Sequence, residues 1–389
     1  MKANGKFYLR TDLLYGVGST AQALELIEAR GYKSIYLVVD EGVAHHSPYY
    51  REIRGQLERK PVGLKLVELR SAEEPSYDYL AGLASDMRAQ PGLDLVIGIG
   101  GGSALDSAKA LAALYTNPGD PITYRGFDKL TNAAIDSMMI PTTAGTGSEV
   151  TINAVFTDQR EMRKLGINGR FVEATYAVLD ANWTASCPFE AAQSAGIDAM
   201  VHTIESFMTA NANPVTRTVS KAAFEVLYKN LPCLVDDPDN LEKRQHLLLG
   251  AYLAGAALFN SGSGVAGALS YPIGVHYKVP HGIAGGIFLA SLVRFNVDRG
   301  YLDYAELLDT IEPHRDWTLE QKSRRFADSV QELCDRIKVP RTLEKWGIHR
   351  SDLDRVAELC SGLQAAFNQN PRPFMTGADV RWMLERHTG

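Results

Sequence analysis

The chain has 389 residues, with 40 Lys+Arg against 46 Asp+Glu and a formal net charge of −6. Hydrophobic residues at 45% and charged residues at 22% are the proportions of a folded globular protein, which excludes intrinsic disorder. The mildly acidic balance argues against nucleic acid as a partner, and the length points to two domains.

Strand and helix signals alternate through the first half. Ser34–Asp40, Leu64–Leu69 and Asp94–Ile99 are short apolar runs followed by turn residues, with helical patterns over Ala21–Arg30 and Tyr77–Arg88 between them. Met138–Pro141 reads as another strand, Ala154–Thr157 and Lys164–Ile167 as a hairpin, and Ala177–Leu179 as a last strand. Such alternation predicts a parallel sheet with helices on its faces. After Trp183 the signals are helical, over Glu190–Met208, Arg217–Asn230, Leu241–Phe259, His281–Phe295, Glu320–Ile337, Ser351–Leu363 and Ala378–Arg386. The expected domains are therefore residues 1–182, α/β, and 183–389, all-α.

Other features bound the setting. Cys187, Cys233, Cys334 and Cys360 are far apart, without C-x-x-C spacing, which favours a reducing compartment over a disulfide framework or zinc ribbon. No signal peptide is evident, so a cytoplasmic location is expected. Leu247–Val275 carries no charge, but polar residues and Pro272 interrupt it. It reads as buried helix rather than a membrane span.

Two loops carry the first functional signal. Gly98-Ile99-Gly100-Gly101-Gly102-Ser103 follows a strand and opens a helix, so the backbone can approach a pyrophosphate at the helix N-terminus. A plain tight turn capped by Ser103 is the bland alternative. The usual G-x-G-x-x-G spacing is not met, since Ser103 stands where the third glycine would fall. Pro141–Glu149, with Thr142, Thr143 and Thr146, is a second small-residue loop after a strand. Two such loops point to a ligand crevice at the strands' carboxyl ends. Asp40 ends the first strand and could accept bonds from a ribose while repelling a 2′-phosphate; it could equally be a helix N-cap.

In the helical half, Asp198 and His202 stand at i and i+4, on one helix face. They could hold a divalent transition metal or form a buried hydrogen-bonded pair. His281, in KVPHGIAGG, is a third candidate ligand.

In combination, the segments DLLYGVGS, IGIGGGSALDSAKALA, IPTTAGTGSEV, GIDAMVHTIESF, ANPVTRTVSKAAFEVL, PHGIAGGIFL and NPRP resemble the iron-containing (group III) alcohol dehydrogenase family, from about residue 12 to the C-terminus. The resemblance implies the dehydroquinate synthase-like fold of that family. It has an α/β dinucleotide-binding domain, an all-α metal domain and an active site in the cleft between them. It also implies NAD(P)-dependent, metal-assisted interconversion of an alcohol and its aldehyde or ketone, in a homodimer acting on a small molecule. Carried over by position, Gly100, Gly101, Gly102, Ser103 and Asp106 belong to the cofactor site. So do Asp40, Thr142, Thr143, Thr146 and Lys164. NAD is preferred to NADP because of Asp40.

Asp198, His202 and His281 match three of the four family ligands for Fe²⁺ or Zn²⁺. The fourth position, fourteen residues before His281, is Gly267; a further family histidine, ten before it, is Tyr271. Three readings of the metal stay open: three protein ligands with a water, His276 as a substitute, or no metal and polar side chains orienting the substrate. Tyr271 and His281 are the candidate catalytic residues, with Tyr271 donating a proton or serving only as a core aromatic. Gly267 would leave room for a larger substrate, and the runs TNPGDPITYRGFD and RKLGING resemble a subgroup acting on polyol or sugar-type substrates. A lyase or cyclase of the dehydroquinate synthase type using NAD transiently, and a nucleotide-binding pseudoenzyme, are the alternatives.

Overall fold

Apolar strands joined by amphipathic helices form a parallel sheet because each crossover helix covers one face of the strands it links. A computed structural model describes residues 4–70 and 75–388, which group into two compact units. Of the described residues, one unit comprises 9–70, 75–188 and 241–248; the other comprises 4–8, 189–240 and 249–388.

The α/β unit contains strands β1 (Asp12–Tyr15), β2 (Ser34–Asp40), β3 (Gly63–Leu69), β4 (Leu95–Gly100), β5 (Gly126–Phe127), β6 (Asp136–Pro141), β7 (Asn153–Asp158), β8 (Arg163–Asn168) and β9 (Tyr176–Leu179). Its helices are α1 (Thr20–Arg30), α2 (Glu41–His46), α3 (Pro48–Glu58), α4 (Tyr77–Arg88) and α5 (Gly102–Thr116). Six strands form one parallel sheet in the order β1-β9-β6-β4-β2-β3. The chain passes from β2 to β3 on one side and then to β4 on the other. The strand order therefore reverses beside β2, and a crevice opens at the carboxyl ends of β2 and β4. Asp40 and Gly100 are the last residues of those two strands. The expected hairpin pairs β7 with β8, and β5 extends it into a second, three-stranded sheet.

The expected boundary after residue 182 shifts to Pro188. A 3₁₀ turn over Ala181–Thr184 stays with the sheet because Trp183 is fully buried there and its Nε1 donates to Thr20 Oγ1 at 2.8 Å. Leu241–Leu248 also join this unit. Gln245 Nε2 donates to the Leu179 carbonyl at 2.7 Å, and its Oε1 accepts from Ala181 N at 2.9 Å.

In the helical unit the elements are α6 (Phe189–Met208), α7 (Pro214–Asn230), α8 (Cys233–Asp236), most of α9 (Leu241–Ser261), α10 (Val265–Tyr277), α11 (His281–Gly286), α12 (Leu289–Asp298), α13 (Ala305–Leu308) and α14 (Leu319–Arg336), with short helices beyond. Asn213 caps α7 with Pro214 in the first turn, and Thr318 with Gln321 forms a capping box on α14. The single helix expected over His281–Phe295 is two, α11 and α12, and the one expected over Ser351–Leu363 is a short helix, Leu353–Leu359, between two 3₁₀ turns. Gly285 and Gly286 sit at the first break, where glycine weakens helix propagation. No helix among the described residues is long and apolar enough to cross a membrane, and Leu247–Val275 is built into α9 and α10. None of the four cysteines is in a disulfide.

Glycines on α11 set how closely it packs. A Cβ on Gly282 would lie 1.8 Å from the Ser194 carbonyl oxygen and 2.9 Å from Asp198 Cβ; one on Gly286 would lie 2.3 Å from Ile197 Cγ1. Against the third side, a Cβ on Gly285 would sit 3.1 Å from the Ala266 carbonyl of α10. His281 begins this helix and so is carried against α6. Because the obstacle at Gly282 is backbone, it cannot rotate away. Gly282→Ala is expected to destabilise the protein by about 3 kcal/mol in urea unfolding, the upper range for overpacking. A midpoint within error of the unaltered protein would contradict the packing described.

Candidate active site

The α/β half-site starts from backbone geometry. Gly100 has φ of +155°, at the edge of the region that favours glycine, and a Cβ there would meet Ala104 Cβ at 2.6 Å and Asp40 Cβ at 2.9 Å. A Cβ on Gly102 would lie 2.7 Å from Thr146 Cγ2, and one on Gly101 would lie 3.4 Å from Thr143 Oγ1. Thr142 N donates to the Gly100 carbonyl at 2.9 Å. The two small-residue loops therefore interlock: all three threonines meet the glycine turn. Ser103 is exposed in the first turn of α5, beside Gly101 and Gly102. These residues line a pocket together with Asp40, Leu69, Arg70, Pro75 and Tyr79.

Of the two roles foreseen for Asp40, the helix N-cap is the one found. Its Oδ1 accepts from Val43 N at 3.2 Å, capping α2, and the residue lines the pocket. Asp106 has a structural task. Its Oδ1 accepts from Ser148 Oγ at 2.5 Å and its Oδ2 from Val155 N at 2.9 Å, so the carboxylate is committed to fixing the threonine loop. Lys164 is half-buried on β8, in register with Thr157, outside the residues that line the pocket.

Sequence reasoning missed two residues here. Arg70 directly follows β3 and brings a cation into the pocket; its signal was its place at a strand's carboxyl end. Lys109, on α5, is completely buried. Its Nζ donates to the carbonyls of Ser148 at 2.7 Å and Thr151 at 3.2 Å and to that of Asn153, and lies 3.5 Å from Asp106. Burial pushes this ammonium's pKa down, and Asp106 and Glu149 oppose that. Glu149 beside it is also buried, and desolvation pushes its carboxyl up to about 7.

The helical half-site gathers Asp198, His202, Tyr271 and His281. Asp198 and His202 are buried on α6, with Asp198 Oδ1 3.6 Å from His202 Nε2 and 3.8 Å from His281 Nε2. Ser270 Oγ is 3.5 Å from His281 Nε2. Tyr271 is half-buried and meets the His281 ring edge-on, with centroids 5.3 Å apart. It is thus a partner of His281 rather than a fully buried core aromatic. His276 is exposed in the last turn of α10.

Gly267 opens no room in the direction a side chain would take. A Cβ there would lie 2.2 Å from Ser263 Oγ and 2.9 Å from Glu205 Oε2, which corrects the expectation of an enlarged pocket. Glu205, fully buried one turn along α6 from His202, caps α10. Its carboxylate accepts from Ser263 Oγ, Gly264 N and Ala266 N, each at 2.7 Å, and from Gly267 N at 3.3 Å. Gly264, the N-cap residue, has no side chain to do this, so the carboxylate of another helix does.

The residues do not fit the four-ligand metal shell implied by the family. Among the described residues no group of three or more His, Cys, Asp or Glu is placed to hold an ion. The chemistry of the three matching residues suits Fe²⁺ or Zn²⁺, but each histidine approaches Asp198 without closing a common shell. A metal-bound histidine usually gives its other ring nitrogen an acceptor, whereas His202 Nδ1 is buried and makes no hydrogen bond.

Comparisons with known proteins agree with this architecture. The family described as iron-containing alcohol dehydrogenase matches residues 10–181, and the Fe-containing alcohol dehydrogenase family, C-terminal, matches residues 192–387. The chain is 27% identical to sulfoacetaldehyde reductase of Bilophila wadsworthia (strain 3_1_6) over 368 residues, covering 94% of each chain. It is 31% identical to the probable alcohol dehydrogenase EutG of Escherichia coli (strain K12) over 283 residues, 73% of this chain and 71% of that one. The crystal structure of sulfoacetaldehyde reductase from Bifidobacterium kashiwanohense in complex with NAD+ superposes with a TM-score of 0.87 at 22% identity, covering 99% of both. These relatives favour neither the lyase nor the pseudoenzyme alternative. The chain belongs to the iron-containing alcohol dehydrogenase family and is an NAD-dependent alcohol–aldehyde oxidoreductase.

Proposed function

We propose that the protein interconverts a small polar aldehyde and its alcohol, with Gly101, Gly102 and Ser103 holding the dinucleotide's pyrophosphate and Tyr271 and His281 serving the substrate oxygen. The observation that carries this reading is the pocket over the first turn of α5, lined by Asp40, Gly101, Gly102 and Ser103. Backbone N–H groups of that turn have no helical partner of their own, and the helix dipole favours an anion there. Thr146 underneath keeps the turn in place. Asp40 supports NAD over NADP, because a carboxylate accepts from a ribose hydroxyl and repels a 2′-phosphate.

When bound, the reduced cofactor supplies a hydride to the carbonyl carbon. The chain must then deliver one proton to the oxygen and stabilise the charge that develops on it before the proton arrives. Tyr271 has a phenolic hydroxyl and His281 a ring nitrogen able to donate, and their rings touch. Tyr271 is the proton donor in this reading. His281, held near Asp198, replaces the proton through their contact or a water. In the reverse direction the same groups take the alcohol's proton as the hydride leaves its carbon. The hydroxyl of Ser270 and the imidazole of His281 make this a polar surface, which suits a polyol or another hydroxylated or charged aldehyde. Sulfoacetaldehyde, named for two of the relatives, is of the charged kind.

Gly102→Val places a branched side chain against Thr146 and the pocket. It is expected to weaken NADH binding at least about tenfold in a fluorescence titration while leaving the circular dichroism unchanged. The unaltered protein should bind NADH more tightly than NADPH. Undiminished binding by the variant would remove the pyrophosphate assignment, and equal binding of both cofactors would remove the role of Asp40.

Tyr271→Phe keeps the ring beside His281 and deletes only the hydroxyl. Aldehyde reduction by NADH should lose about 100-fold or more in kcat, the usual scale for a general acid, with KM changed far less. A fully active variant would show that the proton comes from elsewhere.

A further inference from the structure

The disagreement between the helical half-site and the family's metal shell points past the function proposed above, on which it rests. We propose that this chain holds no resident metal ion: Ser263 and Glu205 close the position of the fourth ligand, and Asp198, His202 and His281 do not form a shell of their own.

Three observations on separate residues support this. Gly267 sits where the family places a histidine, and the first atom of any side chain there would collide with Ser263 Oγ at 2.2 Å. Ser263 is not simply free to turn away, since its hydroxyl donates to Glu205 Oε2 at 2.7 Å. Moving it strips a buried carboxylate of one donor, at a cost of the order of a buried hydrogen bond to a charged group. Glu205 cannot become a ligand in exchange. Both oxygens already accept from the N–H groups that begin α10, and losing those bonds would uncap that helix.

The second observation is His202. Among the described residues its buried Nδ1 has no acceptor, so no carboxylate or carbonyl of the chain fixes the ring orientation as the outer shell of a metal site does. Third, Asp198 Oδ1 is 3.6 Å from His202 Nε2 and 3.8 Å from His281 Nε2, and among the described residues no group of three or more His, Cys, Asp or Glu is placed to hold an ion, so the three do not close a shell around one. Without an ion, the carboxylate's charge acts on both imidazoles at ion-pair distance rather than through a hydrogen bond. Asp198 is then a positioning residue for His281.

The test is elemental analysis of the full-length protein, expressed with iron and zinc in the medium and desalted without chelator. Below about 0.1 equivalent of any transition metal per chain is expected, and added Co²⁺ should neither raise the melting temperature nor give ligand-field absorption bands. In the variant carrying Gly267→His with Ser263→Ala, the collision is removed and an imidazole supplied. Co²⁺ should then bind with visible bands and a raised melting temperature, whereas Gly267→His alone should gain neither. One tightly held ion per chain in the unaltered protein would overturn the inference, as would Co²⁺ uptake by the single variant equal to that of the double. So would a folded double variant that takes up no Co²⁺. NADH binding, measured on the same preparations, separates this from the proposed function. Protein that binds NADH but carries a stoichiometric ion contradicts the metal inference alone; metal-free protein that binds no NADH contradicts the function alone.

Discussion

Lys109 carries a positive charge into the interior of the α/β unit, and the chain around it is shaped to meet that charge. An unpaired ammonium in such a place would be very costly, so every nearby acceptor is drawn in. Those acceptors are the carbonyls of Ser148, Thr151 and Asn153, together with Asp106. Ser148 belongs to the threonine loop, Thr151 and Asn153 follow it, and Asp106 lies on α5 itself. The ammonium therefore ties α5 to the threonine loop. Thr143 and Thr146 lie in that loop, pressed against the glycines that open α5. The glycine turn thus owes its shape to a lysine several residues away that never reaches the pocket.

The helical unit uses the inverse device: there a buried negative charge gathers donors. Glu205 draws in the N–H groups at the start of α10, and in doing so sets where Gly267, Ser270 and Tyr271 fall along that helix. The close approach allowed by Gly282 and Gly286 then brings His281 to Asp198. Each half-site is positioned by one fully buried ion whose partners are mostly backbone. Backbone partners suit this task because they cannot change rotamer. Tyr271 and His281, proposed above to serve the substrate oxygen, remain half-buried.

Much of this was legible in the residues. Ser34–Asp40 and Tyr77–Arg88 have the predicted bounds, since clean periodicity and clear turn residues leave little choice. The i, i+4 spacing of Asp198 and His202 placed both on one face of α6, as found. Helix α3 went unread although Ser47 and Pro48 begin it and Tyr50, Ile53 and Leu57 form its buried stripe, because arginines, glycine and glutamine dilute the pattern. Strand β1 is short and largely exposed at the sheet edge, so it lacks the apolar run that marks an inner strand. Lys109 and Glu205 were illegible for a different reason. A charged residue within a helix reads as solvent-facing, and only the tertiary packing shows that its partners lie far along the chain. The space at Gly267 was misjudged likewise, because a missing side chain leaves a void only if no neighbour fills it.

Lys109 holds the glycine turn in shape, and the geometry of the α/β site depends on that tie. Lys109→Met keeps the length of the side chain and removes the charge, leaving the carbonyls of Ser148, Thr151 and Asn153 without this donor and Asp106 without its counter-charge. Paired measurement of urea unfolding and NADH affinity tests it directly. Stability should fall by about 3 kcal/mol, as for other broken buried pairs, and the folded variant should bind NADH at least about tenfold more weakly. A variant that is less stable yet binds NADH as tightly as the unaltered protein would contradict the claim, since the turn would then keep its shape without the tie.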